Sequence, residues 1–315
     1  MNKKIILITA MLLVLLMCAF TGCISSGENE LSNEAYYTFT DSDGFTVELS
    51  KKPQTVAVLF SSLSEAWLNA GGEIAITVGE TVERKLCKGE ALLVDSGAGK
   101  TVDNERLISL EPDFVICSAD IAAQKDTASL LRKAGIPVAL IRLDTFEDYL
   151  EVLKIFTDIT DRKDLYKENG EKVKDEIEKT VAESKKAEGT KVLFIRSGSS
   201  VSSAKAKKSE DNFAAKILED LGCFNIAEKA EILVDSLSAE VILKEDPQYI
   251  FISLMGDYEN SKGFMESLLQ SSEYKNLTAV KNGKVYFLPK ELFQYKPCGR
   301  WAESYRYISS ILNNE

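Results

Sequence analysis

No histidine occurs anywhere in the 315 residues. That absence removes Ser-His-Asp and Cys-His catalysis and most zinc sites other than those built of Cys or carboxylates. Cysteine is scarce too: six residues, none in a CxxC pair or another metal-like spacing. There is no Gly-x-Ser-x-Gly elbow, no Walker loop and no dinucleotide fingerprint. Positive charge is in deficit, with 38 Lys and Arg against 49 Asp and Glu and a net charge of −11. A binder of nucleic acid or of an anionic membrane surface would carry the opposite balance. Only one long apolar run exists, Ile5 to Phe20, interrupted by Thr9 and Cys18 alone. It falls short of the about 20 residues that cross a bilayer comfortably.

That run follows Lys3 and Lys4 and precedes Phe20-Thr21-Gly22-Cys23, the layout of a signal peptide over residues 1–22. The ending resembles a bacterial lipobox, in which the Cys after a small residue is acylated and becomes the mature N-terminus. Phe20 stands where Leu is usual. Lipidation at Cys23, an uncleaved anchor and a simple secretory leader are the three readings, and all of them place the body outside the cytoplasm. Loss of residues 1–22 removes two Lys and no acid, so −11 becomes −13. Residues 23–35, rich in Ser, Asn, Glu and Gly, read as a tether. At 45% hydrophobic residues the remainder has material for two cores. Cys117 and Cys223 sit in apolar settings and read as buried; a Cys87–Cys298 pair stays open.

The strongest pattern is a repeat. Asp103-Asn104-Glu105-Arg106-Leu107 leads to Pro112-Asp113-Phe114-Val115-Ile116, and Ser238-Ala239-Glu240-Val241-Ile242 leads to Pro247-Gln248-Tyr249-Ile250-Phe251. In both copies Glu precedes Pro by seven residues. Each predicts a helix opened by a capping residue (Asp103, Ser238) and ended by the Pro before a buried strand. Upstream, strand Thr55–Phe60, a Ser-rich loop, helix Leu63–Ala70 and Gly71-Gly72 are echoed by strand Lys191–Arg196, a Ser-rich loop, helix Asn212–Leu221 and Gly222.

Around the repeat, Tyr36–Thr40 and Phe45–Leu49 alternate across Asp43-Gly44 as a hairpin. Helices Asp126–Ala134 and Phe146–Thr160, with strand Val138–Arg142, complete a lobe over 36–160. A charged helix over 161–188 follows, from Arg162 to about Glu188, with Asp161 as N-cap, Gly189 as stop and a narrow stripe of Tyr166, Val173, Ile177 and Val181. The second lobe, 189–315, holds the Ser- and Lys-rich loop 197–211, a long connection Met255–Tyr274, strand Lys284–Leu288, the aromatic and basic loop Phe293 to Trp301, and helix Ala302–Leu312. Strands alternating with helices imply an α/β fold: two doubly wound lobes with mainly parallel sheets, joined by one long α-helix.

Taken in order, the leader, Cys23, the hairpin, both Glu/Pro units, the interlobe helix, Asn212-Phe213, Asn225-Ile226-Ala227 and Ala279-Val280-Lys281-Asn282-Gly283-Lys284-Val285-Tyr286 carry a resemblance. The chain resembles the periplasmic-binding-protein-like receptors of ABC importers for ferric siderophores, haem and cobalamin. The resemblance implies a ligand in the cleft between lobes, little hinge closure, an ABC permease dimer with its ATPase as partner, and no catalysis. It also implies that Glu105 and Glu240, one per lobe, meet Arg residues of the permease. As a residue type, Glu in a first helical turn also suits the dipole.

Ligands of α/β folds bind at the carboxyl edge of the strands. That selects Phe60, Ser61, Ser62, Arg84, Arg196, Tyr258, Phe293, Tyr295, Lys296, Arg300 and Trp301. The cations suit an anionic iron chelate and the rings an aromatic or flat one. Trp67, with Leu63 and Ala70, fits a buried helix face instead. An anionic siderophore ranks first, haem second and cobalamin third. No cofactor, resident metal or nucleic acid is expected, and the protein is expected to be a monomer. An anchored enzyme or a signalling module on the same scaffold is the rival class.

Overall fold

A computed structural model describes residues 35–87, 91–95, 101–184 and 187–313. The expected signal peptide, Cys23 and the expected tether up to residue 34 lie outside the described residues. Strands β1 (Tyr37–Thr40) and β2 (Thr46–Leu49) form the antiparallel hairpin. Its turn is held by Asp41, whose carboxylate accepts the N–H groups of Asp43 and Phe45 at 3.0 and 2.9 Å.

The first large sheet contains β3 (Val56–Val58), β4 (Ile76–Thr77), β5 (Leu92–Leu93), β6 (Phe114–Ser118) and β7 (Val138–Ile141), all parallel, in the order β5-β4-β3-β6-β7. The second contains β8 (Lys191–Ser197), β9 (Lys205–Ala206), β10 (Phe224–Asn225), β11 (Tyr249–Leu254) and β12 (Val285–Phe287). Its parallel order is β10-β8-β11-β12, with β9 antiparallel on β8. In each sheet the lobe's opening strand, β3 or β8, pairs with the strand of a Glu/Pro unit, β6 or β11. The repeat in sequence is therefore a repeat in topology.

The two units also share their turn. Glu111 and Asp246, each directly before the proline, are left-handed at φ 48° and 44°. Proline disfavours a right-handed helical residue before it, so the helix must leave that region one residue early. The caps differ: the Asp103 carboxylate accepts the Arg106 N–H at 3.0 Å, whereas Ser238 makes no side-chain cap.

Helix Phe146–Thr160 coincides with its expected bounds, closed at the start by a Thr145/Asp148 capping box. The interlobe helix is shorter than expected and begins later. Asp161 is not its N-cap; at φ 57° it ends the preceding helix, with the Arg162 N–H returning to Thr157 O at 2.9 Å. The chain then runs as Lys163–Tyr166, a π turn Lys167–Glu171 and Lys172–Glu183. Gly170 is buried in the π turn, where an added Cβ would lie 3.2 Å from Leu150 and from Leu153. The connection 255–274 holds an unforeseen helix, Tyr258–Leu269, opened by Asp257.

Alternation along the strands sorts the core into three parts. Ala57, Val115, Cys117 and Leu140 face a cluster confined to the first lobe, and Leu193, Ile195, Ile250 and Ile252 face one confined to the second. The opposite faces, with Val58, Phe114 and Ile116 from one sheet and Phe194, Tyr249 and Phe251 from the other, join a single cluster. Helices Ser61–Asn69, Phe146–Thr160, Phe213–Asp220 and Trp301–Asn313 contribute to that shared core.

Candidate functional site

Ser62 after β3, Asp144 after β7 and Ser253 near the end of β11 all bond to the segment 289–301. On the first lobe, Phe60 precedes helix Ser61–Asn69 and is half-buried, while Ser61 and Ser62 are buried. Both hydroxyls are engaged within the protein. Ser61 Oγ donates to Glu80 Oε2 at 2.6 Å and accepts from Arg84 at 3.3 Å. Ser62 Oγ accepts the Lys296 N–H at 3.3 Å, and its carbonyl accepts the Cys298 thiol at 3.3 Å. Burial pushes the Cys298 thiol pKa well up. Cys87, Cys117, Cys223 and Cys298 are all free, so the Cys87–Cys298 pair left open by the sequence does not form.

Arg84 forms an ion pair with Glu65, and its guanidinium lies 4.1 Å from the Tyr295 ring centroid on the second lobe. Burial raises the Glu65 pKa, and Arg84 and Arg300 act against that rise. Lys296 reaches back across the lobes to Asp144 Oδ1 at 2.7 Å, and Arg300 pairs with Glu303 at 2.8 Å. A cavity of about 400 Å³ at this junction is lined by Glu65, Arg84, Lys290, Glu291, Tyr295 and Arg300 among others. Its cations face acids of similar number, so it is charge-balanced and not a well for an anion.

Phe293 and Trp301 are not cleft residues. Each is only 1% exposed. Trp301 packs edge-on to Phe146 at 6.0 Å and Phe213 at 5.3 Å, and Phe293 lies 5.7 Å from Tyr307. Trp301, Tyr305, Ile308 and Leu312 form the buried face of the terminal helix. Tyr258 is exposed at the start of its helix. Its phenol adds to the burial that raises the Tyr307 pKa.

Arg196 behaves differently from the other candidates. It is exposed at the end of β8, makes no ion pair among the described residues, and has its pKa lowered by burial of the guanidinium among protein atoms. Its antiparallel neighbour is Lys205 on β9, a residue the sequence reading passed over. The alternation Lys205-Ala206-Lys207, with Ala206 buried, was the available sign.

Glu105 and Glu240 are exposed in the first turns of helices Asn104–Ser109 and Ala239–Glu245, without ion pairs among the described residues. Among the described residues no cluster of three or more His, Cys, Asp or Glu could hold a metal ion.

A family profile described as periplasmic binding protein matches residues 54–292. The chain is 27% identical over 293 residues to the Fe(3+)-citrate-binding protein of Bacillus subtilis (strain 168), covering 90% of this chain and 89% of that one. It is 26% identical over 289 residues to the iron(3+)-hydroxamate-binding protein of the same organism, covering 87% of each. The crystal structure of the petrobactin-binding protein of Bacillus subtilis shares the fold at a TM-score of 0.69 and 20% identity, over 89% of this chain and 99% of that one. With that match over well more than half its length, and with two mainly parallel sheets, the chain belongs to the periplasmic binding protein family.

Proposed function

We propose that this protein is an extracytoplasmic solute-binding lipoprotein that captures an iron chelate in the interlobe cleft and delivers it to an ABC permease dimer with its ATPase. The carrying observation is that residues following β3 and β7 and a residue near the end of β11 all bond to one segment, 293–298, in a chain aligned over 90% of its length with a protein named for Fe(3+)-citrate binding. Binding and release need no reacting group, and the family is one of binding proteins, not enzymes. A siderophore-type chelate ranks ahead of haem and cobalamin, because Arg196 is a cation at the end of β8 without an acid partner among the described residues.

In this reading residues 1–22 are removed, Cys23 is acylated, 23–35 tether the body, and lobes 36–160 and 189–315 act as a monomer. Glu105 and Glu240 dock on the permease. Reversal of either to Arg leaves ligand affinity nearly intact, because an exposed helix-start Glu contributes about 0.3–1 kcal/mol. Uptake and ligand-stimulated ATPase activity fall. Unchanged transport in the double reversal defeats the docking assignment. The capture reading is tested by fluorescence titration with ferric siderophores, ferric citrate, haem and cobalamin. No binding tighter than about 10 μM, roughly −7 kcal/mol, to any of them overturns it.

A further inference from the structure

We infer that residues 294–300 form a strap from the second lobe fastened across the first, with Lys296 and Asp144 as its latch. Resting on the capture reading, opening of that latch sets how fast a chelate enters and leaves the cleft. The strap has two fixed ends. Phe293 and Trp301, each 1% exposed, sit in the shared core, and Ser253 of β11 donates to Phe293 O at 3.0 Å. Between those ends the chain lies on the other lobe. The Lys296 N–H donates to Ser62 Oγ and the Cys298 thiol to Ser62 O, both at 3.3 Å, at the start of helix Ser61–Asn69. At Gly299 an added Cβ would lie 3.1 Å from Asn69 Nδ2, so the backbone there is pressed against the end of the same helix.

These fastenings work against strain. Cys298 is buried and left-handed at φ 50°, a conformation that a residue with a Cβ holds only where its surroundings enforce it. The Lys296 N–H bond to Ser62 is longer than an ordinary N–H···O contact. The closer contacts lie at the rim. Lys296 Nζ meets Asp144 Oδ1 at 2.7 Å, with the two side chains 21% and 49% exposed. The Tyr295 ring takes the Arg84 guanidinium at 4.1 Å, and Glu65 fixes Arg84 to the first lobe. An ion pair that water reaches can exchange its partner for water, whereas the buried bonds to Ser62 cannot until the strap lifts. Opening therefore starts at Lys296 and Asp144, releases Tyr295 from Arg84, and uncovers Cys298 last. No swing of the lobes is required. The strap crosses residues that follow β3 and β7, on the edge where α/β folds take their ligands, so a chelate held there exchanges as the strap yields.

The first test needs no ligand. Cys298 and Cys117 are both free thiols at 0% exposure, one in the strap and one in the core of the first lobe. The purified protein is treated with iodoacetamide, and mass spectrometry follows each cysteine. Local opening labels a site ahead of global unfolding, so Cys298 should react before Cys117. Asp144→Asn and Lys296→Met should each speed Cys298 about fivefold, the weight of a partly exposed ion pair, and leave Cys117 unmoved. Cys298 reacting at the Cys117 rate overturns the strap. Variants without effect on Cys298 overturn the latch, and so does a joint rise of both cysteines, which would mean that the pair stabilises the whole fold. Stopped-flow mixing with ferric citrate then reads exchange: association and dissociation should both quicken about fivefold in Asp144→Asn. Faster dissociation alone would make the pair a ligand contact and overturn the gating role. If neither ferric citrate nor a ferric trihydroxamate binds, the capture reading falls and gating with it, while the labelling rates still decide the strap.

Discussion

The placement of Trp301 makes a sharp prediction, because a ring that lines a cleft and a ring that bridges two lobes respond differently to truncation. Trp301 is fully buried between Phe146 of the first lobe and Phe213 of the second. Truncation of a buried aromatic to alanine costs about 3–5 kcal/mol. That is a large share of the about 5–15 kcal/mol that holds an ordinary domain folded. At about 2–4 °C per kcal/mol, Trp301→Ala should melt about 6–20 °C below the wild type. Trp301→Phe should behave otherwise. The indole N–H is buried without an acceptor among the described residues, and such a group costs about 1–3 kcal/mol. Phenylalanine removes that cost while keeping most of the ring contacts, so the net change should stay within about 1.5 kcal/mol. Urea and thermal unfolding followed by circular dichroism measure both. The reasoning is refuted if Trp301→Ala melts with the wild type but loses ligand affinity, or if Trp301→Phe is as damaging as alanine.

Two further predictions concern the first lobe. A Cβ on Gly72 would fall 2.1 Å from Trp67 Cε2, so Gly72→Ala should destabilise by about 1–3 kcal/mol through overpacking; an unshifted melting temperature would show that the Trp67 ring can move aside. Burial raises the Glu65 pKa, so the folded state holds that proton more tightly than the unfolded state does, and stability from this group falls as pH rises through the carboxylate range. Wild type should therefore lose stability relative to Glu65→Gln from low to neutral pH, and a constant difference in melting temperature across that range would contradict the assignment.

The fold was legible where pattern is local. The Glu-to-Pro spacing announced two related units, and the alternating or continuous apolar strands announced parallel sheets. β9 escaped because a two-residue strand leaves only the short alternation Lys205-Ala206-Lys207 as a sign, and with it went Lys205. The site was less legible because its partners are distant in sequence. Nothing near Lys296 says that Asp144 holds it, or near Arg84 that Glu65 does. Two features of the segment 289–303 were open to sequence reasoning. Arg300 and Glu303 stand three apart on a helix, where ion pairs form readily. The spacing of Trp301, Tyr305, Ile308 and Leu312 already described a buried face. Phe293 and Trp301, expected beside a ligand, are buried in the core, while Tyr295 stays at the junction. The interlobe helix was overextended because charged residues continue past Glu183 and carry no stop signal before Gly189.

The core cluster shared by both sheets has a consequence for how the molecule unfolds. Each half has a sheet and an outer core of its own, yet each would expose one whole apolar sheet face if the other were removed. The halves are therefore duplicated in topology without being independent in free energy, and the smallest cooperative unit is the pair. Opening the cleft by a wide angle would strip Trp301 from Phe146 or from Phe213, so breathing between the lobes is confined to the rim, where Arg84 meets Tyr295 and Lys296 meets Asp144. What such a receptor presents to its transporter is a nearly rigid body, and the difference between its empty and loaded forms must be carried by surface shape and charge around the cleft, with little help from a swing of one lobe against the other.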